Sequence, residues 1–108
     1  MSKVDLKVAR KGDTVNTGHG CDTVVEILEG DSTVLVEGKP VAVESSPLEP
    51  HTITNPASPP IPPCIPHPGQ EVNAGSDTVI VGGKGIARVG DSADLGSIAT
   101  GSSTVIAG

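Results

Sequence analysis

Two short elements return three times along this chain, and that repetition restricts the fold more than any other feature. The first reads Gly30-Asp31-Ser32-Thr33-Val34-Leu35-Val36-Glu37-Gly38-Lys39, then Gly75-Ser76-Asp77-Thr78-Val79-Ile80-Val81-Gly82-Gly83-Lys84, then Gly101-Ser102-Ser103-Thr104-Val105-Ile106-Ala107-Gly108. The second reads Val8-Ala9-Arg10-Lys11-Gly12-Asp13, Val41-Ala42-Val43-Glu44-Ser45-Ser46 and Ile86-Ala87-Arg88-Val89-Gly90-Asp91. In the two internal copies the elements flank Glu37-Gly38 and Gly82-Gly83. β-branched runs around such a pair predict tight hairpins near 33–43 and 78–88, with Gly supplying positive φ in the turn. The third hairpin is split between the chain ends. If the copies are equivalent, 104–107 pairs with 8–10, which closes a ring of three hairpins and removes an exposed edge.

A chain of 108 residues is one domain. It has no Phe, Trp or Tyr, so the largest single burials are missing from its core. The apolar residues are mostly Val, Ile and Ala, which suit closely packed strands. With 14 Gly and 10 Pro, something beyond a core must hold the fold: disulfides, a metal or a partner. Three excursions separate the hairpins, roughly 13–29, 46–74 and 91–100. The middle one carries nine of the ten prolines, which predicts a stiff segment that is neither helix nor sheet. No helix is expected, at most a short turn around Asp22 to Leu28. The predicted fold class is all-β, with three pseudo-threefold hairpins and long Pro/Gly-rich loops.

The net charge of −6 excludes a nucleic-acid binder, which needs Lys and Arg for phosphates, and gives no attraction to an anionic membrane. The start, MSKVDLKVARKGD, has no apolar run of signal-peptide length, and no segment approaches transmembrane length. Synthesis in the cytoplasm is expected, and there two cysteines are thiols or metal ligands more often than a disulfide.

The histidines are His19, His51 and His67, and the cysteines Cys21 and Cys64. Cys64-Ile65-Pro66-His67 is a C-x-x-H pair that a proline-held turn would aim at one ion. His19 lies eleven residues after Val8 and His51 ten after Val41, so near-threefold symmetry points both to a common axis. His19, His51, Cys64 and His67 then gather at one apex as a four-coordinate set that Zn²⁺ accepts. A filled set leaves no position for an activated water, so the metal is structural, one per chain. Cys21 stays open: a thiol, a replacement ligand two residues from His19, or a disulfide partner of Cys64 if the protein works outside the cell.

The pattern [VI]-A-R-x-G-D together with G-S-x-T-V-x-V-x-G-K resembles the PAAR-repeat family, from Val8 to Gly108. The motif is degenerate here: Lys84-Gly85-Ile86-Ala87-Arg88 comes closest, Lys39-Pro40-Val41-Ala42-Val43 loses the Arg, and Val8-Ala9-Arg10 starts inside it. The resemblance implies a small cone with a zinc-bound apex, again on His19, His51, Cys64 and His67, or an iron site in its place. It implies a base that docks on a trimeric β-helical spike through Thr33, Val34, Leu35, Val36, Thr78, Val79, Ile80, Val81, Thr104, Val105 and Ile106. It further implies a membrane-piercing spike tip of a contractile injection machine, on a bacteriophage tail baseplate or, as the alternative, on the valine-glycine-rich spike of type VI secretion. In that second setting an effector would bind non-covalently, because the sequence ends in the last strand.

Two readings compete with a structural tip. A small zinc hydrolase needs an open coordination position and a base such as Glu49 or Glu71, which the full ligand set argues against. A polyproline module would use Pro59-Pro60-Ile61-Pro62-Pro63, a stretch that equally serves as a stiff loop. The expectation is a non-enzyme.

Overall fold

In the computed structural model, which describes residues 6–54 and 64–108, the three repeated alanines meet. Ala9, Ala42 and Ala87 are fully buried. Their backbones form a closed cycle: Ala9 N–H donates to Ala87 O (2.9 Å), Ala87 N–H to Ala42 O (2.8 Å) and Ala42 N–H to Ala9 O (2.9 Å). Three strands crowding one point leave room for a methyl group and little more, so the position is Ala in each copy. The bridges Val8↔Arg88, Arg10↔Val41 and Val43↔Ile86 surround the cycle.

The glycine that opens each first element has a steric cause. A Cβ on Gly30, Gly75 or Gly101 would lie 2.5, 2.4 or 2.8 Å from the carbonyl oxygen of Val41, Gly85 or Val8. The next position caps the turn. Asp31 Oδ1 accepts from Thr33 N–H, Ser76 Oγ from Thr78 and Val79 N–H, and Ser102 Oγ from Thr104 and Val105 N–H.

All regular structure among the described residues is β. The strands are β1 (Thr14–Asn16), β2 (Val24–Glu26), β3 (Asp31–Val36), β4 (Lys39–Val41), β5 (His51–Thr54), β6 (Cys64–His67), β7 (Ile80–Val81), β8 (Lys84–Gly85), β9 (Ser92–Ala93) and β10 (Gly96–Ile98). β2, β1, β10 and β9 form one sheet in that order, and β3–β4, β5–β6 and β7–β8 are two-stranded pairs. The β3–β4 turn has Glu37 and Gly38 at φ 54° and 80°, and the β7–β8 turn has Gly82 and Gly83 at 60° and 82°. Two successive positive φ values match the right-handed twist of a short hairpin.

Several elements differ from expectation. β7–β8 is shorter than 78–88, because Ile86, Ala87 and Arg88 leave the hairpin to join the cycle and its bridges. Among the described residues the two ends of the chain meet at the bridge Lys7↔Ile106, reinforced by Val8 N–H to Val105 O and Ala107 N–H to Leu6 O. Val8 and Arg10 bridge instead to neighbouring repeats. The stretch around Asp22 to Leu28 contains strand β2. The proline-rich excursion contains the ribbon β5–β6, in which Thr52 faces Pro66. A two-stranded ribbon is all edge, and there a residue without N–H is tolerated. Residues 55–63, with the Pro59 to Pro63 run, lie outside the described residues. No described helix is long and apolar enough to cross a membrane.

The core falls into two clusters. One holds the alanines with Val15, Val25, Ile27, Leu48, Val72 and Ile98. The other packs Val8, Val36, Val41, Val43, Val81 and Ile86 beneath the hairpins.

Candidate metal centre

The excursions leave the alanine cycle through matching turns. Asp13 Oδ2 accepts from Arg10 N (2.7 Å) and Nε (2.8 Å), and Asp91 Oδ2 from Arg88 N (2.8 Å) and Nε (2.9 Å). The carboxylates hold both guanidinium pKa values above their ordinary level, with the side-chain hydrogen bond the larger cause. In the middle copy Ser46 Oγ accepts from Val43 N at 2.9 Å. The Arg and the Asp are lost together there, because the hydroxyl supplies the turn's acceptor and no carboxylate needs pairing.

His51 and His67 face one another across β5–β6. His19 lies in the loop after β1, where buried Thr17 donates its hydroxyl to Asp22 O at 2.8 Å. That loop is tied to β5. Asp22 Oδ2 accepts from Thr52 N and Oγ1 at 2.8 and 2.9 Å, and Asp22 N–H donates to Thr52 O. The Thr52 bonds hold the Asp22 carboxyl below the ordinary range. The three imidazole centroids lie 5.0–5.2 Å apart.

Asp94 stands at the focus of the three rings. It occupies the β9–β10 turn at φ 53°, fixed by Asn73 Nδ2 donating to its carbonyl at 2.8 Å. Its Oδ2 lies 2.9 Å from His19 Nε2 and 2.7 Å from His51 Nε2, and its Oδ1 lies 3.3 Å from His67 Nε2. The side chains of His51 and Asp94 are each 1% exposed. Burial pushes the Asp94 carboxyl up, but hydrogen bonds from the three imidazoles together outweigh it and leave the carboxyl below its ordinary range.

This donor set could hold a divalent cation once the Asp94 contacts of 2.9 and 2.7 Å to His19 and His51 open to the spacing that an ion needs. The four ligand atoms all lie within 4.8 Å of one another, and a tetrahedral ion with bonds of about 2.0–2.1 Å spaces its donors by roughly 3.4 Å. Every Nε2 faces the carboxylate. His51 Nδ1 also sits 2.8 Å from Glu49 O, a carbonyl that can only accept. With a metal, Nδ1–H keeps the carbonyl and Nε2 is free to ligate, the usual outer-shell arrangement for a metal-bound histidine.

The structure brings together His19, His51 and His67 and leaves Cys64 out. Cys64 is joined to Cys21 by a disulfide, so neither is a thiol and neither offers a thiolate. The C-x-x-H pair also lies on strand β6 rather than on a turn. Alternation along a strand sends residues three apart to opposite faces: Ile65 and His67 are half-buried while Cys64 and Pro66 are exposed. Asp94 is the residue that sequence reasoning missed. A threefold reading carried one signal for it: the third excursion has no His or Cys, so its donor has to be Asp91 or Asp94, and Asp91 is taken by Arg88.

The residues expected at a docking base divide. Thr33, Val34, Leu35, Thr78, Ile80, Thr104, Val105 and Ile106 are exposed, with Leu35, Ile80 and Ile106 at 59%, 54% and 60%. Val36 and Val81 are buried and Val79 packs against the same core, because alternate residues of a short strand must face inward. The proposed bases of a hydrolase do not enter the cluster: Glu49 reaches it only through its carbonyl, and Glu71 meets Asp94 only through its backbone.

Among comparisons with known proteins, the model of the PAAR motif family matches residues 64–108. The matched stretch runs from β6 to the C-terminus and includes His67, Asp94 and two of the three copies of the first element. No curated protein matches the chain at a significant level.

Proposed function

On the premise of a PAAR-repeat protein, we propose that the chain is the tip of a contractile injection machine, a non-enzymatic cap on the blunt end of a trimeric β-helical spike. The observation that carries this reading is the closed cycle of Ala9, Ala42 and Ala87. It supports three equivalent hairpins in one chain, and such a chain meets three identical subunits with equivalent contacts. Leu35, Ile80 and Ile106, exposed one per repeat, supply the apolar anchors of that contact. The histidine cluster forms the apex, where His19, His51 and His67 hold a structural zinc that stabilises a point too narrow for a core. Contraction drives this point through a membrane by force alone. The bacteriophage tail is the setting we favour, and a type VI secretion spike is the alternative.

Co-purification with trimeric spikes of both kinds tests this. One chain per spike trimer is expected, and the triple variant Leu35→Asp, Ile80→Asp, Ile106→Asp should abolish it while keeping the wild-type melt. A folded wild-type chain that binds neither spike would overturn the docking reading.

A further inference from the structure

We propose that the metal centre is built for the oxidised chain: Asp94 supplies the fourth donor, and the Cys21–Cys64 disulfide clamps the segments that carry the imidazoles. The proposal rests on the reading that the three imidazoles hold a metal, and it concerns what completes and regulates that site.

Two observations carry it independently. The first is Asp94, whose carboxylate lies within 3.3 Å of all three Nε2 atoms and whose side chain is 1% exposed. A carboxylate this buried, within hydrogen-bond reach of three imidazole nitrogens through its two oxygens, is placed as a donor to whatever those nitrogens share. The second is the position of the disulfide. Cys21 lies two residues after His19, and Cys64 three before His67, while His67 is paired with His51. One covalent bond therefore fixes the His19 loop to the ribbon that bears the other two rings. The same loop is pressed onto β5 at Gly20, where a Cβ would lie 2.1 Å from Thr54 Oγ1. Preorganising ligands that lie far apart in sequence, His19 being 32 residues from His51 and 48 from His67, lowers the conformational cost of binding the ion.

The site is thereby a nitrogen–oxygen set that accepts Zn²⁺ and Co²⁺ and does not depend on a reduced sulfur. Reduction is a two-electron step. A dithiol reductant loses two electrons and two protons and closes to its own disulfide. The Cys21–Cys64 bond breaks, and each sulfur gains one electron and one proton. The loop is then held to the ribbon by the Asp22–Thr52 hydrogen bonds without the covalent clamp.

The test titrates metal-free protein with Co²⁺, and with Zn²⁺ against a chromophoric chelator, in the oxidised wild type, after dithiothreitol, and in the Cys21→Ser/Cys64→Ser and Asp94→Asn variants. The oxidised wild type should bind one Co²⁺ with visible ligand-field bands and no near-ultraviolet thiolate band. Affinity should fall at least tenfold on reduction, equally in the double serine variant, and at least tenfold in Asp94→Asn. Hydrogen exchange of the alanine cycle, unchanged throughout, separates these effects from unfolding. Tighter binding with a thiolate band on reduction would show that cysteine is the preferred donor and overturn the proposal. Equal affinity in all redox states would reduce the disulfide to a staple, and equal affinity in Asp94→Asn would remove the fourth donor. No metal in the oxidised wild type would instead defeat the metal reading itself, and this proposal with it.

Discussion

The ring of backbone at the alanine cycle and the histidine cluster are held together by different physics. The ring is apolar and made largely of backbone: three alanines in a closed hydrogen-bond cycle, with a layer of Val and Ile beneath short hairpins. The cluster is polar and made of side chains: three imidazoles around one carboxylate, with a disulfide beside them. The ring relies on shape, so a change of volume damages it. The cluster relies on charge and covalent ties, so a change of donor, proton or redox state damages it. A chain without aromatic residues spreads a small apolar core beneath its hairpins and through the bases of its excursions, and at the histidine cluster relies on polar side chains and a disulfide.

The sharpest way to break that comparison is to overfill the ring. Ala87→Leu adds three carbons where three strands meet. It should cost roughly 3 kcal/mol or more, at the upper end for overpacking, and unfold both regions together in a thermal melt. A variant that melts like wild type would show that the cycle tolerates volume and is not the foundation of the fold.

The cluster should fail locally. His51→Ala removes a donor and takes one hydrogen bond from the buried Asp94 carboxylate, a loss of about 2 kcal/mol for a bond to a charged group. Amides of 17–23 and 51–54 should lose hydrogen-exchange protection while those of Ala9, Ala42 and Ala87 keep theirs. Treatment of metal-loaded protein with a strong chelator should give the same pattern. Loss of protection at the alanines in either experiment would mean that the two regions unfold as one.

Much of this division is visible in the sequence, for identifiable reasons. The alanine and glycine positions recur in each copy because sterics at the cycle admits nothing larger. The turns at Glu37-Gly38 and Gly82-Gly83 are legible from their need for positive φ. The cluster was legible only in its histidines. On a turn, C-x-x-H aims both side chains at one ion, which makes Cys64 a ligand; in a strand the same spacing separates the two side chains. Asp94 is one of many acidic residues and has no local signature. Its role follows from the turn that carries it to the rings, a long-range fact. The β5–β6 ribbon was hidden by prolines that an isolated edge pair accommodates.

The turns that join the two regions offer a finer comparison. Asp13→Ala removes a nearly buried carboxylate that accepts from both the backbone and the side chain of Arg10, and should cost about 1.5 kcal/mol. Ser46→Ala removes one neutral acceptor from Val43 and should cost about 1 kcal/mol. Denaturant midpoints for the two variants rank the turns. The opposite order would mean that the middle repeat, with neither Arg nor Asp, depends on its turn more than its neighbours do.

The smallest effect is expected at the surface of the ring, where Glu37 joins two repeats. Its Oε2 accepts from Thr104 Oγ1 at 2.6 Å and its Oε1 pairs with Arg10. The Thr104 hydroxyl is the main reason that the Glu37 carboxyl sits below its ordinary range, with Arg10 a lesser cause. Thr104→Val should therefore move the Glu37 titration, followed by NMR of the side-chain carboxyl, upward toward the value of an unfolded glutamate. The sign for stability follows. A group whose folded pKa is depressed contributes above its unfolded pKa and loses that contribution as the pH falls through the folded one. The wild type should thus lose slightly more stability on acidification than the variant. Because the group lies at the solvent-exposed surface, screening keeps the difference small, and salt should shrink the part due to Arg10 more than the part due to the hydroxyl. An unmoved Glu37 titration in the variant would mean that the C-terminal segment is not held to the β3–β4 turn through this hydroxyl.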